Sequence, residues 1–240
     1  MITNNIRKRI QGLRLKKNRQ REQLFVVEGK KAVASFLDSA LKLHLLFFTD
    51  AFSHPQGQQI SAEEMQRMSH LKNASNVLAV FSLPKEQKLP TTGPIVVLDG
   101  VSDPGNLGTI IRLCDWFGIH HVVCSTDTVD CFNPKVVQAT MGSLANVHCH
   151  YTDLVSYLES VQSPIYGTFM EGTSVYDIAL PNESVFVFGS EAHGVSSAVE
   201  AHITSSITIP KSSSTTAESL NVAMAAGVVL GVVGQQLFKG

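Results

Sequence analysis

From Pro94 onward the sequence repeats one pattern: a short, wholly apolar run ends in a glycine or polar turn and gives way to a helical stretch. The runs Ile95–Leu98 (IVVL) and Val185–Phe188 (VFVF) show no polar alternation. Strands written this way are covered on both faces, as in a parallel sheet with helices on either side. The pattern predicts a strand at IVVLDG, a helix from about Asn106 to Phe117 stopped by Gly118, a strand at HVVCS, and a helix opened by Asn133 and Pro134 and closed near Gly142. A strand at Asn146–His150, a helix at Asp153–Ser160, strands at Ile165–Phe169 and Val185–Phe188, and a last helix from Glu218 to Phe238 complete an open, mostly parallel α/β sheet. Ligands of such sheets bind in loops beyond the carboxyl ends of the strands.

The chain before Pro94 reads as a smaller α/β unit. A basic helix at Ile2–Lys17, a strand at Gln23–Val27, a helix at Lys30–Ser39 and a strand at Leu43–Phe48 come first. A helix at Ser61–Ser69 follows, with Ser61 and Glu64 in capping-box spacing, and then a strand at Val77–Phe81. The stretch SLPKEQKLPTTGP has three prolines and no apolar periodicity, so it marks a linker. The expected division is a substrate domain at 1–83, a linker at 84–93 and a catalytic domain at 94–240.

Charge separates the same two parts. Residues Met1 to Lys31 hold ten lysines and arginines against two glutamates, whereas the rest of the chain holds nine against eighteen acidic residues. A basic segment on an otherwise acidic chain suits contact with phosphates, although a solvated helix face would read the same way. With 44% apolar and 16% charged residues the chain is an ordinary folded protein. No apolar run reaches the roughly 20 residues of a membrane span, and MITNNIRKRIQGLRLKK lacks the apolar core of a secretory signal. Cys114, Cys124, Cys131 and Cys149 form no C-x-x-C pair, which fits reduced thiols in the cytoplasm. His148 and His150 would share one strand face, but no third ligand has a recognisable spacing, so no metal is expected.

Three segments leave predicted strand ends with chemistry-bearing residues. LDGVSDPGNLGTIIRLCDWFG turns through Pro104, Gly105 and Gly108 into a helix that carries Asn106 and Arg112. Read on residues alone, Asn106 is a helix cap and Arg112 a surface cation. VFVFGSEAHGVS breaks from an apolar strand into Gly189, Glu191 and Gly194, glycines that let a ligand approach the main chain. ITIPKSSSTTAESLNVAMAAGVVLGVV leads from Pro210 through a polar loop into Ser219, Leu220 and Asn221 and then a small-residue helix. Neither G-x-x-x-x-G-K-[ST] nor G-x-G-x-x-G occurs, which argues against the familiar nucleotide-binding loops.

Together these segments resemble the three motifs of the SpoU, or TrmH-type, RNA ribose methyltransferases of the SPOUT superfamily. N-L-G-T-I-I-R (Asn106 to Arg112) is similar to the first motif, Gly189 and Glu191 fall in the G-x-E-x-x-G second motif, and Ile209, Pro210, Ser219, Leu220 and Asn221 fall in the I-P…S-L-N third. The likeness runs from Ile95 to Phe238, and LFVVEGKKAVASFL resembles the family's N-terminal substrate-binding domain. The loop from Pro210 to Glu218 departs from the family form in being longer and rich in serine and threonine.

The resemblance implies a C-terminal trefoil knot and S-adenosylmethionine held by Gly189, Ile209 and Leu220, with Thr168 at its strand end. It implies catalysis by Arg112, supported by Asn106, Glu191, Ser219 and Asn221. It further implies ribose 2′-hydroxyl methylation of RNA, ribosomal before transfer RNA, by a homodimer with its sites near the interface. The face Ala223, Ala226, Gly227 and Leu230 of the last helix is the expected dimer contact. The competing reading is a catalytically silent RNA-binding protein of ribosome assembly.

Overall fold

The computed structural model describes residues 2–237, and by packing they divide into two units. The first takes the chain up to Glu86 together with Asp130–Asn146; the second takes Gln87–Val129 and the chain from Val147 onward.

The first unit opens with α1 (Asn4–Gly12) and α2 (Lys16–Glu22), followed by β1 (Leu24–Glu28), α3 (Lys30–Leu37), β2 (Leu43–Phe48), β3 (Gln58–Gln59), α4 (Ala62–Met68) and β4 (Val77–Ser82). Its strands form one sheet in the order β1-β4-β2-β3, with β4 antiparallel to both neighbours. The single basic helix expected at the N-terminus is broken in two. Arg19, buried on α2, donates to the carbonyls of Leu13 and Arg14 at the break, and its other guanidinium nitrogen reaches Asp130 at 2.5 Å. Ile2, Ile10 and Leu13 enter the core beside Met65, Met68 and Leu78. Much of the basic segment is therefore structural: Arg9 clamps Glu22 and Arg14 donates to the Ser69 carbonyl.

The second unit begins with β5 (Ile95–Asp99), α5 (Pro104–Trp116) and β6 (His121–Cys124), after which the chain contributes α6 (Pro134–Ala139) to the first unit. There the Phe132 ring lies 4.7 Å from that of Phe25. Expected within the catalytic domain, Asp130–Asn146 instead packs on β1, drawn by this ring contact and the Arg19–Asp130 pair. The second unit resumes with β7 (His148–Tyr151), α7 (Leu154–Ser160), β8 (Ile165–Ser174), β9 (Val185–Gly189), α8 (Ser197–Glu200), β10 (Ser205–Thr208) and α9 (Val222–Leu237). Its strands stand in the order β10-β8-β9-β5-β6-β7 and every neighbouring pair is parallel. The apolar runs are buried on both faces, as their lack of alternation requires. Ile95, Val97, Val185 and Val187 pack with Tyr157, Leu158 and Val199, and the alternate residues Val96, Leu98, Phe186 and Phe188 are buried too.

Two helix boundaries differ from expectation in ways that matter for the site. α5 starts at Pro104, two residues early, because Asp103 caps it through the Asn106 N–H (2.9 Å) and proline suits the first helical position. α9 starts at Val222, four residues after Glu218, because the Asn221 Oδ1 accepts from the Ala223 and Met224 N–H groups and fixes the start there. The expected helix end at Phe238 lies outside the described residues. The proposed dimer face is internal: Ala226 and Leu230 are fully buried, and a Cβ on Gly227 would stand 3.6 Å from Leu113. Valines and glycines surround α9, so periodicity alone could not separate the face against α5 from one against a partner.

Candidate active site

Three chain segments far apart in sequence converge beyond the carboxyl ends of β5, β9 and β10. Freed from capping by Asp103, the Asn106 side chain in the first turn of α5 donates from Nδ2 to the Glu191 carboxylate at 2.5 Å. Asn221 donates from Nδ2 to the same oxygen, Oε1, at 2.7 Å and to Asn106 Oδ1 at 3.0 Å. One carboxylate thus gathers two amides, in hydrogen bonds strengthened by its charge. Glu191 ties the start of α5 to the start of α9.

Gly189 makes this arrangement possible. Beyond it the chain folds back so that Ser190 and Gly194 exchange backbone hydrogen bonds of 2.9 Å each way, with Gly194 at φ +68°. A Cβ on Gly189 would lie 2.0 Å from the Gly194 carbonyl carbon. The Asp99 carboxylate holds the next stretch by accepting the Ser196 N–H at 2.7 Å.

A cavity of about 510 Å³ opens between β8 and β9 because the two strands stay paired only as far as Gly167 and Val187. Thr168 closes its inner end by donating to the Val187 carbonyl at 3.1 Å. Thr168, Gly189, Ile209 and Leu220, the expected cofactor residues, all line it, and so do Glu191 and Ser219. Sequence reading missed the apolar wall of Phe169, Ile207 and Val229, and Lys211 and Glu218. Asp103 was legible as an aspartate immediately before proline at a helix start.

Arg112 is the exception. It lies six residues beyond Asn106, about 240° around a 3.6-residue helix. It is exposed on the same stripe as Thr109 and Trp116, lines neither this cavity nor its neighbour, and has no hydrogen-bond or ion-pair partner among the described residues. Glu191 makes no hydrogen bond to Arg112; its carboxylate accepts from the side-chain amides of Asn106 and Asn221. Burial pushes the Cys114 thiol on α5 far up, so it stays protonated.

Similar proteins carry the same architecture. A putative RNA methyltransferase of the TrmH family from Porphyromonas gingivalis is 39% identical, with 97% of this chain and 98% of that one covered at a TM-score of 0.88. The AdoMet-bound rRNA methyltransferase from Sinorhizobium meliloti is 26% identical, covering 99% and 97% at a TM-score of 0.86. The 23S rRNA (guanosine(2553)-2′-O)-methyltransferase RlmP of Bacillus subtilis is 29% identical over 91% of each chain. Fold and site define the class, an RNA methyltransferase on an open α/β sheet. The SpoU rRNA methylase family model matches residues 93–231, and an MRM3-like substrate binding domain matches residues 4–80. The chain belongs to the SpoU rRNA methylase family, RNA 2′-O-ribose methyltransferases that use S-adenosylmethionine.

The cavity suits that cofactor. Its volume falls within the roughly 300–1,000 Å³ of small-molecule sites, and its apolar wall matches an adenine ring. Gly189 bares the main chain to close approach, and the Glu191 carboxylate offers negative charge to a sulfonium.

Proposed function

We propose that this chain methylates a ribose 2′-hydroxyl of ribosomal RNA as a cytoplasmic homodimer. The observation that carries the reading is the Asn106–Glu191–Asn221 cluster beside a cofactor-sized cavity. A protein that only bound RNA would not need a carboxylate holding two amides there, which weighs against a silent assembly factor. The relatives named for 23S rRNA favour ribosomal over transfer RNA. Among the described residues no helix is long and apolar enough to cross a membrane.

In this reading S-adenosylmethionine, when bound, supplies an electrophilic methyl group. Thr168, Gly189, Ile209 and Leu220 hold it, largely through main chain. Ser219 and Asn106 hydrogen-bond the acceptor hydroxyl, and Glu191 with Asn221 keeps Asn106 in place. The guanidinium of Arg112 grips the phosphate beside the ribose and stabilises charge developing on the 2′-oxygen. The C-terminal segment is knotted, residues 1–83 hold the RNA, and the linker 84–93 joins them to the catalytic domain 94–240, apart from Asp130–Asn146, which belongs to the first unit.

Because Arg112 is turned from the cavity of its own chain, we assign it to the site of a second copy. The contact surface moves from the buried face of α9 to exposed apolar side chains, Trp116 at the end of α5 (79% exposed) and Met224 on α9 (64%). α5 and α9 pack side by side, with Gly227 against Leu113 and Gly234 against Phe117, and each of these two helices carries one of the exposed side chains. On α5 the exposed Trp116 lies four residues from Arg112, so an isologous contact through this face would bring the arginine to the neighbouring copy.

Mixing Arg112→Ala with Glu191→Ala chains tests this directly. If the site is shared, random reassociation makes half the molecules mixed dimers with one intact site each, restoring about a quarter of wild-type turnover. No recovery from chains that do exchange would place Arg112 in its own subunit's site. Arg112→Ala alone should abolish transfer while cofactor affinity, by calorimetry, stays within a few-fold of wild type.

A further inference from the structure

A second cavity, of about 260 Å³, lies against the first. Gly100, Val101 and Ser102 line it from the loop after β5, and Ser190, Glu191, Ala192 and His193 line it from the loop after β9. Ser190 and Glu191 line both cavities and form the shared wall. The smaller cavity is built from fixed backbone. Gly100, at φ +72°, donates its N–H to Ser125 Oγ at 2.8 Å, and Val129 N–H donates to the Val101 carbonyl at 3.0 Å. On the opposite side the Ser190–Gly194 exchange is reinforced by the His193 N–H donating to Ser190 Oγ at 3.1 Å. The Ser102 hydroxyl and the exposed His193 imidazole have no hydrogen-bond partner among the described residues.

We propose that this cavity receives the base of the acceptor nucleotide, swung out of its stack, with the His193 ring as the surface it lies on and Ser102 reading its edge. The proposal rests on the reading of the chain as a ribose methyltransferase. A methyl group passes only to an oxygen directly against the cofactor cavity, and this cavity shares its wall and its carboxylate. Its size is below the roughly 300 Å³ lower bound of sites for whole drug-like ligands, which leaves room for a single ring system. No lysine or arginine lines it, and Glu191 does, so its electrostatics reject a phosphate and accept a neutral base with N–H donors. Sequence-specific RNA recognition works this way: an unstacked base lies on an aromatic or histidine ring and is hydrogen-bonded along its edge.

The test uses the full chain saturated with S-adenosylhomocysteine, so that the first cavity is filled. The four nucleoside 5′-monophosphates are titrated in turn while the His193 ring signals are followed by NMR, identified by their loss in His193→Ala. We expect saturable upfield shifts with at least one nucleotide. In parallel, methyl transfer is measured on total RNA from cells lacking the gene. His193→Ala should raise the KM for RNA roughly tenfold or more, as truncating a stacking ring does, and His193→Phe should stay within about threefold of wild type. In both, kcat and the S-adenosylhomocysteine affinity should be unchanged. Ser102→Ala should alter the preference among the four nucleotides. Unshifted His193 signals, or a KM that ignores His193→Ala, overturns the base pocket. A wild type that binds nucleotides at His193 but transfers no methyl overturns the enzymatic reading instead.

Discussion

Replacing Gly189 by alanine puts a methyl group where the structure has backbone. The new Cβ would stand 2.0 Å from the Gly194 carbonyl carbon, 2.1 Å from the Val195 nitrogen and 2.3 Å from the Gly194 oxygen. Non-bonded carbons rest about 3.5–4.0 Å apart, so the Gly194 segment has to retreat by about 1.5 Å. No rotamer change relieves this, because every close atom is main chain. Retreat breaks both Ser190–Gly194 hydrogen bonds, each worth about 1 kcal/mol net, and adds an overpacking cost of about 1–3 kcal/mol. A loss of about 3–5 kcal/mol lowers the melting temperature by roughly 10 °C in a chain of this size. Cofactor affinity should fall with it, because Gly189 and Gly194 both line the cavity. Gly118→Ala is the control: φ is +70° but nothing lies within 4 Å of the new Cβ, so only about 1–2 kcal/mol of left-handed strain is added, without loss of binding. Thermal melts and calorimetry with S-adenosylmethionine decide the matter. A Gly189→Ala protein that melts and binds like wild type would refute the reasoning.

Asn106→Ala removes the shorter of the two amide hydrogen bonds to Glu191; kcat should fall about 100-fold through misplacement of the site while the melting temperature moves by only a few degrees, read from turnover and melting on one preparation. Deleting the N-terminal segment would strip Ile10 and Leu13 from the core, so its RNA role is better probed by Lys16→Gln with Lys17→Gln. The slope of log affinity against log salt should then shrink by about 0.7–0.9 for each phosphate that α2 no longer neutralises, and an unchanged slope would remove α2 from the RNA surface. His150 is held near pKa 4, first by burial and then by His121, whose Nδ1 lies 3.2 Å from its Nε2, and by His148. Its folded pKa lies below the ordinary 6.5, so the folded state takes up fewer protons between pH 6.5 and 4. Stability is full above pH 6.5 and falls by at most about 3 kcal/mol as pH drops toward 4. Melting temperature against pH should show this fall, and His150→Gln should flatten it.

The parallel sheet was legible because IVVL and VFVF have only one structural use, burial on both faces. The glycines and prolines that end the strands were equally local signals, whereas the roles of Asn106 and Arg112 came only from the resemblance. The meeting of Asn106, Glu191 and Asn221 was not local: the hydrogen bonds span 30 to 115 residues, and only resemblance to a family joined them. Charge counting shows that Arg9 and Arg19 are cationic but not that Glu22 and Asp130 take up their charge. Helix periodicity misassigned the outer face of α9, where apolar residues point in every direction. It was silent on Arg112, because spacing along α5 places it about 240° around from Asn106 without saying what either side meets.

The most direct test of the central claim is transfer of tritiated methyl from S-adenosylmethionine by the purified protein to RNA from cells lacking the gene, followed by digestion to nucleosides. The account predicts label in a single 2′-O-methylnucleoside, found in the ribosomal RNA fraction and absent with Arg112→Ala. Label in a methylated base, or none from a protein that binds the cofactor, would contradict it.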